Sequence, residues 1–189
     1  MSSLGIIVAS TRPGRIGPCI AEWIESEAKA HTGFSEVALI DLAEVNLPFM
    51  NEPNHPRLSR YVHHHTREWS ARIAGTDAFI FVMPEYNYGY NAELKNAIDY
   101  LHHEWQYKPV GLVSYGGVSA GTRAAQMIKQ VVTTLKMTPL PEAVALPFVQ
   151  QFIDEKAGLV PNEIMAGSAK AMLDELTRVN DALSPLRTE

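Results

Sequence analysis

Three short apolar runs without polar alternation constrain this chain most: LGIIVA at 4–9, AFIFVM at 78–83 and VGLVS at 110–114. Each is too short for a buried helix and too uniformly apolar for a strand with one wet face. Such runs read as strands covered on both sides, the condition of a parallel sheet under helices. VALIDL at 37–42 and residues 144–146 supply a second and a fifth strand. Helical spacing fills the gaps. Ile20, Ile24 and Glu27 share a stripe, with Trp23 beside it, over 18–30. Pro18 suits the first turn, where its missing N–H has no intrahelical partner. Further helices are expected over 58–74, over 92–103 with Leu94, Ile98 and Leu101 spaced for packing, and over 122–135. A last helix carries Ile164, Met165, Ala169, Met172, Leu173 and Leu176. Pro48, Pro53 and Pro56 break the tract between the second strand and the following helix. The order βαβαβαβαβα predicts an α/β fold with a five-stranded parallel sheet between two helical layers. Right-handed crossovers bring every strand's C-terminal end to one edge, where open α/β sheets bind ligands.

Three unusual loops leave that edge. The first, STRPGRIG at 10–17, joins the first strand to the first helix. Amides at a helix start and the positive end of its dipole suit an anion. Ser10 and Thr11 add hydroxyls, Arg12 and Arg15 add charged donors, and Gly14 and Gly17 keep the turn free of side chains. GxGxxG and GK[ST] are absent, and Cys19 lies beyond the loop, so dinucleotide, Walker and cysteine-phosphatase readings fail. A terminal phosphate, held and not hydrolysed, fits better. The second loop runs through Pro84, Glu85, Tyr86, Asn87 and Tyr88 to Gly89, combining aromatic walls with an amide side chain. The third presents Tyr115, Gly116 and Gly117, whose backbone can face a flat heterocycle. A phosphate at the first loop and a planar ring between the other two describe a mononucleotide such as FMN.

Composition narrows the partners. The 189 residues, 46% hydrophobic, bury enough surface for one domain spanning 1–189, with no linker, repeat or low-complexity stretch dividing them. A net charge of −5 argues against a nucleic-acid partner, whose affinity rests on phosphate neutralisation. The single cysteine fits a reducing compartment. The first residues show neither a basic n-region nor a cleavage signal, and no apolar run reaches membrane-spanning length. The expected location is cytoplasmic, without a membrane.

STRPGR at 10–15, PEYNYGYNAELKNAIDYL at 84–101 and SYGGVSAGTRA at 114–124 together resemble the NADPH-dependent FMN reductase family. This is a branch of the flavodoxin-like fold that includes small quinone, azo-dye and chromate reductases. The resemblance implies that Ser10, Arg12, Arg15 and nearby backbone at Ile16 and Gly17 hold the FMN phosphate. It implies that Pro84 to Tyr88 line the isoalloxazine and that Tyr115 to Gly117 contact its pyrimidine side. It also implies a homodimer or higher oligomer with flavins near the subunit boundary, NADPH as the preferred donor over NADH, and a small-molecule electron acceptor. Two departures stand out. Ala9 replaces the usual glycine before Ser10, and Gly89 and Asn91 stand where many members carry serine and proline. No side chain is expected to be catalytic, because the flavin N5 carries the chemistry, flanked by backbone around 85–87. An electron carrier that ignores NAD(P)H and a non-catalytic nucleotide-binding scaffold are the alternatives. One cysteine cannot supply the four thiolates of the family's iron–sulfur branch.

Other residues receive quieter readings. His63 to His65 and the run His102, His103 and Glu104 present too few ligands to one point for a metal. His65 and Trp69 are candidates to border a neighbouring subunit's flavin. Met127, Met137, Met165 and Met172 read as core packing. Tyr88, Tyr90, Tyr100 and Trp105 exceed what one buried face uses, which suggests that the segment 91–104 contributes to the subunit interface.

Overall fold

The computed structural model describes residues 2–187. Strands β1 (Ser3–Val8), β2 (Glu36–Asp41), β3 (Ala78–Pro84), β4 (Pro109–Tyr115) and β5 (Thr138–Leu146) form one parallel sheet in the order β2-β1-β3-β4-β5. The flavodoxin-like five-stranded sheet between two helical layers is therefore present. In β3 and β4 every residue is buried, as their unbroken apolar runs require. Successive side chains divide between two cores, following the two-residue period of a strand. Ile6, Val8, Ile80 and Val82 meet α1 (Gly17–His31) and α6 (Glu163–Leu183). Ile7, Phe79, Phe81 and Met83 meet α3 (His64–Ala74), α4 (Ala92–Asp99) and α5 (Thr122–Thr134). The short α2 (Leu42–Val45) follows β2 directly, and β6 (Ile153–Asp154) pairs antiparallel with β7 (Gly158–Leu159).

Several boundaries differ from the sequence reading. The helix expected from residue 58 begins at His64. Before it, a 3-10 turn over Pro56–Leu58 ends with Ser59 in the left-handed region, and the Glu52 carboxylate accepts the amides of Val62 (2.9 Å) and His63 (3.0 Å). Those bonds hold the chain extended where the periodicity suggested a helix. The helix expected to reach residue 103 stops at Asp99, and Trp105 Nε1 donates to the Ile98 carbonyl (3.1 Å). The fifth strand starts at Thr138, well before residue 144. Pro139 and Pro141 hid its first half, yet an edge strand tolerates prolines because one side needs no ladder donor.

The packing also corrects three side-chain expectations. Trp69 is buried and donates to the Ala97 carbonyl (2.8 Å), so it cannot border another subunit's pocket. Tyr100 and Trp105 are fully buried within their own core, which removes half of the aromatic argument for an interface at 91–104. Met127 is 49% exposed beside Gly89, unlike the buried Met137, Met165 and Met172. No helix among the described residues is long and apolar enough to cross a membrane.

Candidate active site

The three loops do converge. Together with a fourth segment they enclose a cavity of about 410 Å³ at the C-terminal edge of the sheet, within the usual size range for small-molecule sites. Its lining includes Arg12, Arg15, Ile16, Pro84, Glu85, Tyr86, Tyr115, Gly116 and Gly117 among the expected residues. Ser10, Gly17, Asn87 and Tyr88 stand behind or beside it.

The first loop is built by a reverse turn that the sequence encodes. The Arg15 amide donates to the Arg12 carbonyl (3.1 Å), with Pro13 and Gly14 at the central positions. Gly14 has φ +72°, so proline followed by a left-handed glycine gives a type II turn. The turn delivers the chain into α1, whose N-cap is Ile16 with no side-chain cap. Ser, Thr, Asp or Asn normally fills that position. Here the amides of Gly14 and Ile16 find no acceptor among the described residues. Arg12 is exposed, and its guanidinium makes no hydrogen bond or ion pair with them either. A free cation beside an uncapped helix start is a site for an anion.

Arg15 is differently employed. Its guanidinium grips Asp41 at the end of β2 through both nitrogens (2.7 and 2.5 Å) and donates to the Ser10 carbonyl (2.6 Å). Burial pushes the Asp41 carboxyl up, but the bonds from Arg15 and the Ala43 amide outweigh it and hold the group below its ordinary value. With its charge matched, Arg15 shapes the loop. Ser10 is buried, and its Oγ accepts from the Tyr115 hydroxyl (3.1 Å), tying the first loop to β4. Burial pushes that phenol up to about 12, outweighing the lowering by the Ser10 hydrogen bond and the two arginines, so it stays a donor. A methyl group at Gly17 would stand 2.5 Å from Ser10 Oγ, so this glycine is needed for close approach.

The second loop is a two-residue hairpin. Tyr86 and Gly89 exchange backbone bonds (2.8 and 3.0 Å) around Asn87 and Tyr88, both with positive φ. The Glu85 amide donates to the Tyr115 carbonyl (3.1 Å). Of the backbone expected near the reacting atom, the amides of Glu85 and Tyr86 are therefore already paired, and the Asn87 amide is not. The Glu85 carboxylate is committed to the start of α5. It accepts from Ser119 Oγ (2.9 Å), from the Arg123 amide (3.1 Å) and from Arg123 Nη1 (2.5 Å). Burial raises its pKa, but these donors prevail and keep it low, so it remains a carboxylate.

The third loop turns on Gly121, at φ +76° and so close to β4 that a methyl group would meet the Tyr115 amide at 2.8 Å. A methyl group at Gly117 would meet nothing within 4 Å, so the backbone there borders open space. The Gly117 carbonyl accepts from Ala120 (3.1 Å) and Phe148 (3.2 Å). That second bond seats the segment the sequence reading missed. Phe148, Val149, Gln150 and Gln151 complete the cavity wall, with Phe148 half-exposed. These apolar and polar residues follow a strand that ends at 146 as expected, but they carry no motif; their placement depends on the bond to Gly117.

The chain's relatives can be set beside this geometry. Residues 2–151 match the family described as NADPH-dependent FMN reductase. An NAD(P)H-dependent FMN reductase of Schizosaccharomyces pombe is 43% identical over 143 residues, covering 75% of this chain and 70% of that protein. One of Saccharomyces cerevisiae is 35% identical over 144 residues, covering 71% and 75%. Among solved structures, the NAD(P)H:(acceptor) oxidoreductase of Paracoccus denitrificans superposes with a TM-score of 0.76 at 20% identity, over 96% of this chain and 98% of that one.

Proposed function

The chain belongs to the NADPH-dependent FMN reductase family, and on that premise we propose that the cavity between loops 10–17, 84–89 and 115–121 is its FMN site. The protein is an enzyme, an FMN-dependent NAD(P)H oxidoreductase that passes electrons to a small acceptor. The observation that carries the site assignment is the Arg12 guanidinium, unpaired among the described residues, beside an uncapped α1, in the same cavity as the open backbone at Gly117.

The residues fit the group. Arg12 and the amides of Gly14, Ile16 and Gly17 would hold the phosphate, with Ser10 and Arg15 fixing the loop from behind. Tyr86 and Phe148 offer apolar cover, while Gly117 and the Asn87 amide offer backbone at the ring's edge, the Gly116 amide being held by the Leu146 carbonyl (3.4 Å). When bound, FMN supplies the hydride and electron transfer that side chains cannot. The protein's part is to orient the ring, keep Tyr115 protonated, and leave one face open to donor and acceptor in turn. No side chain in the cavity is needed as nucleophile or base. NADPH as preferred donor, a homodimer and a cytoplasmic setting belong to the same reading. Anaerobic mixing of the FMN-loaded protein with NADPH should bleach the visible flavin band. A spectrum unchanged by excess NADPH and NADH would overturn it.

A further inference from the structure

A chain of contacts links the second loop to α5 beside the cavity. Tyr88 occupies the second central position of the Tyr86–Gly89 hairpin at φ +72°, and Asn87 the first at φ +49°. A two-residue hairpin with both positions left-handed favours Asn-Gly, because glycine meets no penalty there. Asn87 conforms. A bulky aromatic at the next position is an outlier, and something must hold it. The Tyr88 backbone makes no bond across the turn among the described residues, and the residue is 68% exposed, so burial does not hold it.

Arg123 does. Its guanidinium lies 3.9 Å from the centre of the Tyr88 ring, a close cation–π stack. The guanidinium is itself fixed from its edge by the Glu85 carboxylate, which is only 8% exposed and also accepts from the Arg123 amide and Ser119. One carboxylate thus caps the start of α5 and orients the cation that clamps the hairpin. The order of influence runs from Glu85 to Arg123 to Tyr88 to the backbone of Asn87, whose amide is unpaired among the described residues.

We propose that Arg123 is a positioning residue for the flavin site: it holds Tyr88 in the left-handed conformation and so presents the Asn87 backbone to the ring. The inference rests on the assignment of the cavity to FMN. It explains why the carboxylate of Glu85, in a cofactor-binding motif, is committed to a helix start. It also explains how this chain carries tyrosine where hairpin geometry asks for glycine.

A double-mutant cycle tests it, because Tyr88→Gly removes the need for the clamp. FMN is titrated by calorimetry into the flavin-stripped full chain, and the visible spectrum of each reloaded variant is recorded. In the parent background Arg123→Ala should weaken FMN binding about fivefold, the upper scale of a solvent-exposed cation–π contact, and shift the bound spectrum toward free FMN. In the Tyr88→Gly background the same change should cost less than about 1.5-fold, with the shift abolished. Equal losses in both backgrounds would overturn the clamp and make Arg123 a direct ligand or a purely structural residue. If Arg123→Ala does not fold, Arg123→Lys serves in the same cycle, since it keeps a cation for Glu85 without the planar face. A parent chain that binds no FMN would instead refute the site assignment, so the two failures are distinguishable.

Discussion

Replacing Arg12 by alanine is expected to weaken FMN binding without loosening the fold, whereas the same change at Arg15, three residues on, should do mainly the reverse. Arg12 is exposed and makes no hydrogen bond or ion pair among the described residues, so its loss removes no such contact; stability should stay within about 0.5 kcal/mol of the parent. A hydrogen bond to a charged group contributes about 1.5–3 kcal/mol, which corresponds to a Kd raised roughly tenfold to a hundredfold. Arg15 and Asp41 have side chains 18% and 16% exposed and share two bonds. Breaking a fully buried pair costs about 3–5 kcal/mol, and partial solvent screening reduces the expectation to about 2–3 kcal/mol. Arg15→Ala also strips the Ser10 carbonyl of its donor. Calorimetric titration of FMN gives the affinities, and urea unfolding of the flavin-free proteins gives the stabilities. Arg12→Ala binding FMN as tightly as the parent would refute the anion site. Arg15→Ala unfolding at the parent's urea concentration would refute the division of labour between the two arginines.

Lys108 is buried at the far end of the sheet, donating to the carbonyls of Ile73 (2.7 Å) and Ala74 (3.1 Å), and burial, with Arg187 nearby, lowers its pKa to about 8. Between that value and the unfolded value of about 10.5 the unfolded chain binds more protons, so stability should rise with pH across this window and the rise should vanish in Lys108→Met; matching urea midpoints at both ends of the window in the parent would contradict it. FMN-loaded protein is expected to sediment as a dimer at low micromolar concentration, and dilution into monomers should lower flavin retention. A fully active monomer in sedimentation velocity would defeat that expectation.

The sequence by itself determined the architecture and the edge at which the site lies. Unbroken apolar runs can be satisfied only by burial on both faces, and their alternation with helical stripes leaves one sheet type and one edge for three odd loops. It also encoded local geometry: Pro13-Gly14 makes its own turn, and Gly121 marks a position only glycine fits. Tertiary structure decided which of the assembled residues are free. Arg12 and Arg15 look alike in the motif, but strand order sets the end of β2 beside the first loop, so Asp41 claims Arg15 and leaves Arg12 open. Glu85 reads as a cavity residue until α5, 38 positions away, brings Arg123 against it. Phe148 to Gln151 join the wall because the Phe148 amide, just past the end of β5, donates to the Gly117 carbonyl of the third loop. Tyr100 and Trp105 turn inward because the tract carrying Pro48 and the carbonyl of Ile98 accept their donors. Periodicity and turn chemistry are properties of neighbours in the chain and can be read there. The pairing of a charge is a property of neighbours in space, fixed only once the sheet has chosen its order.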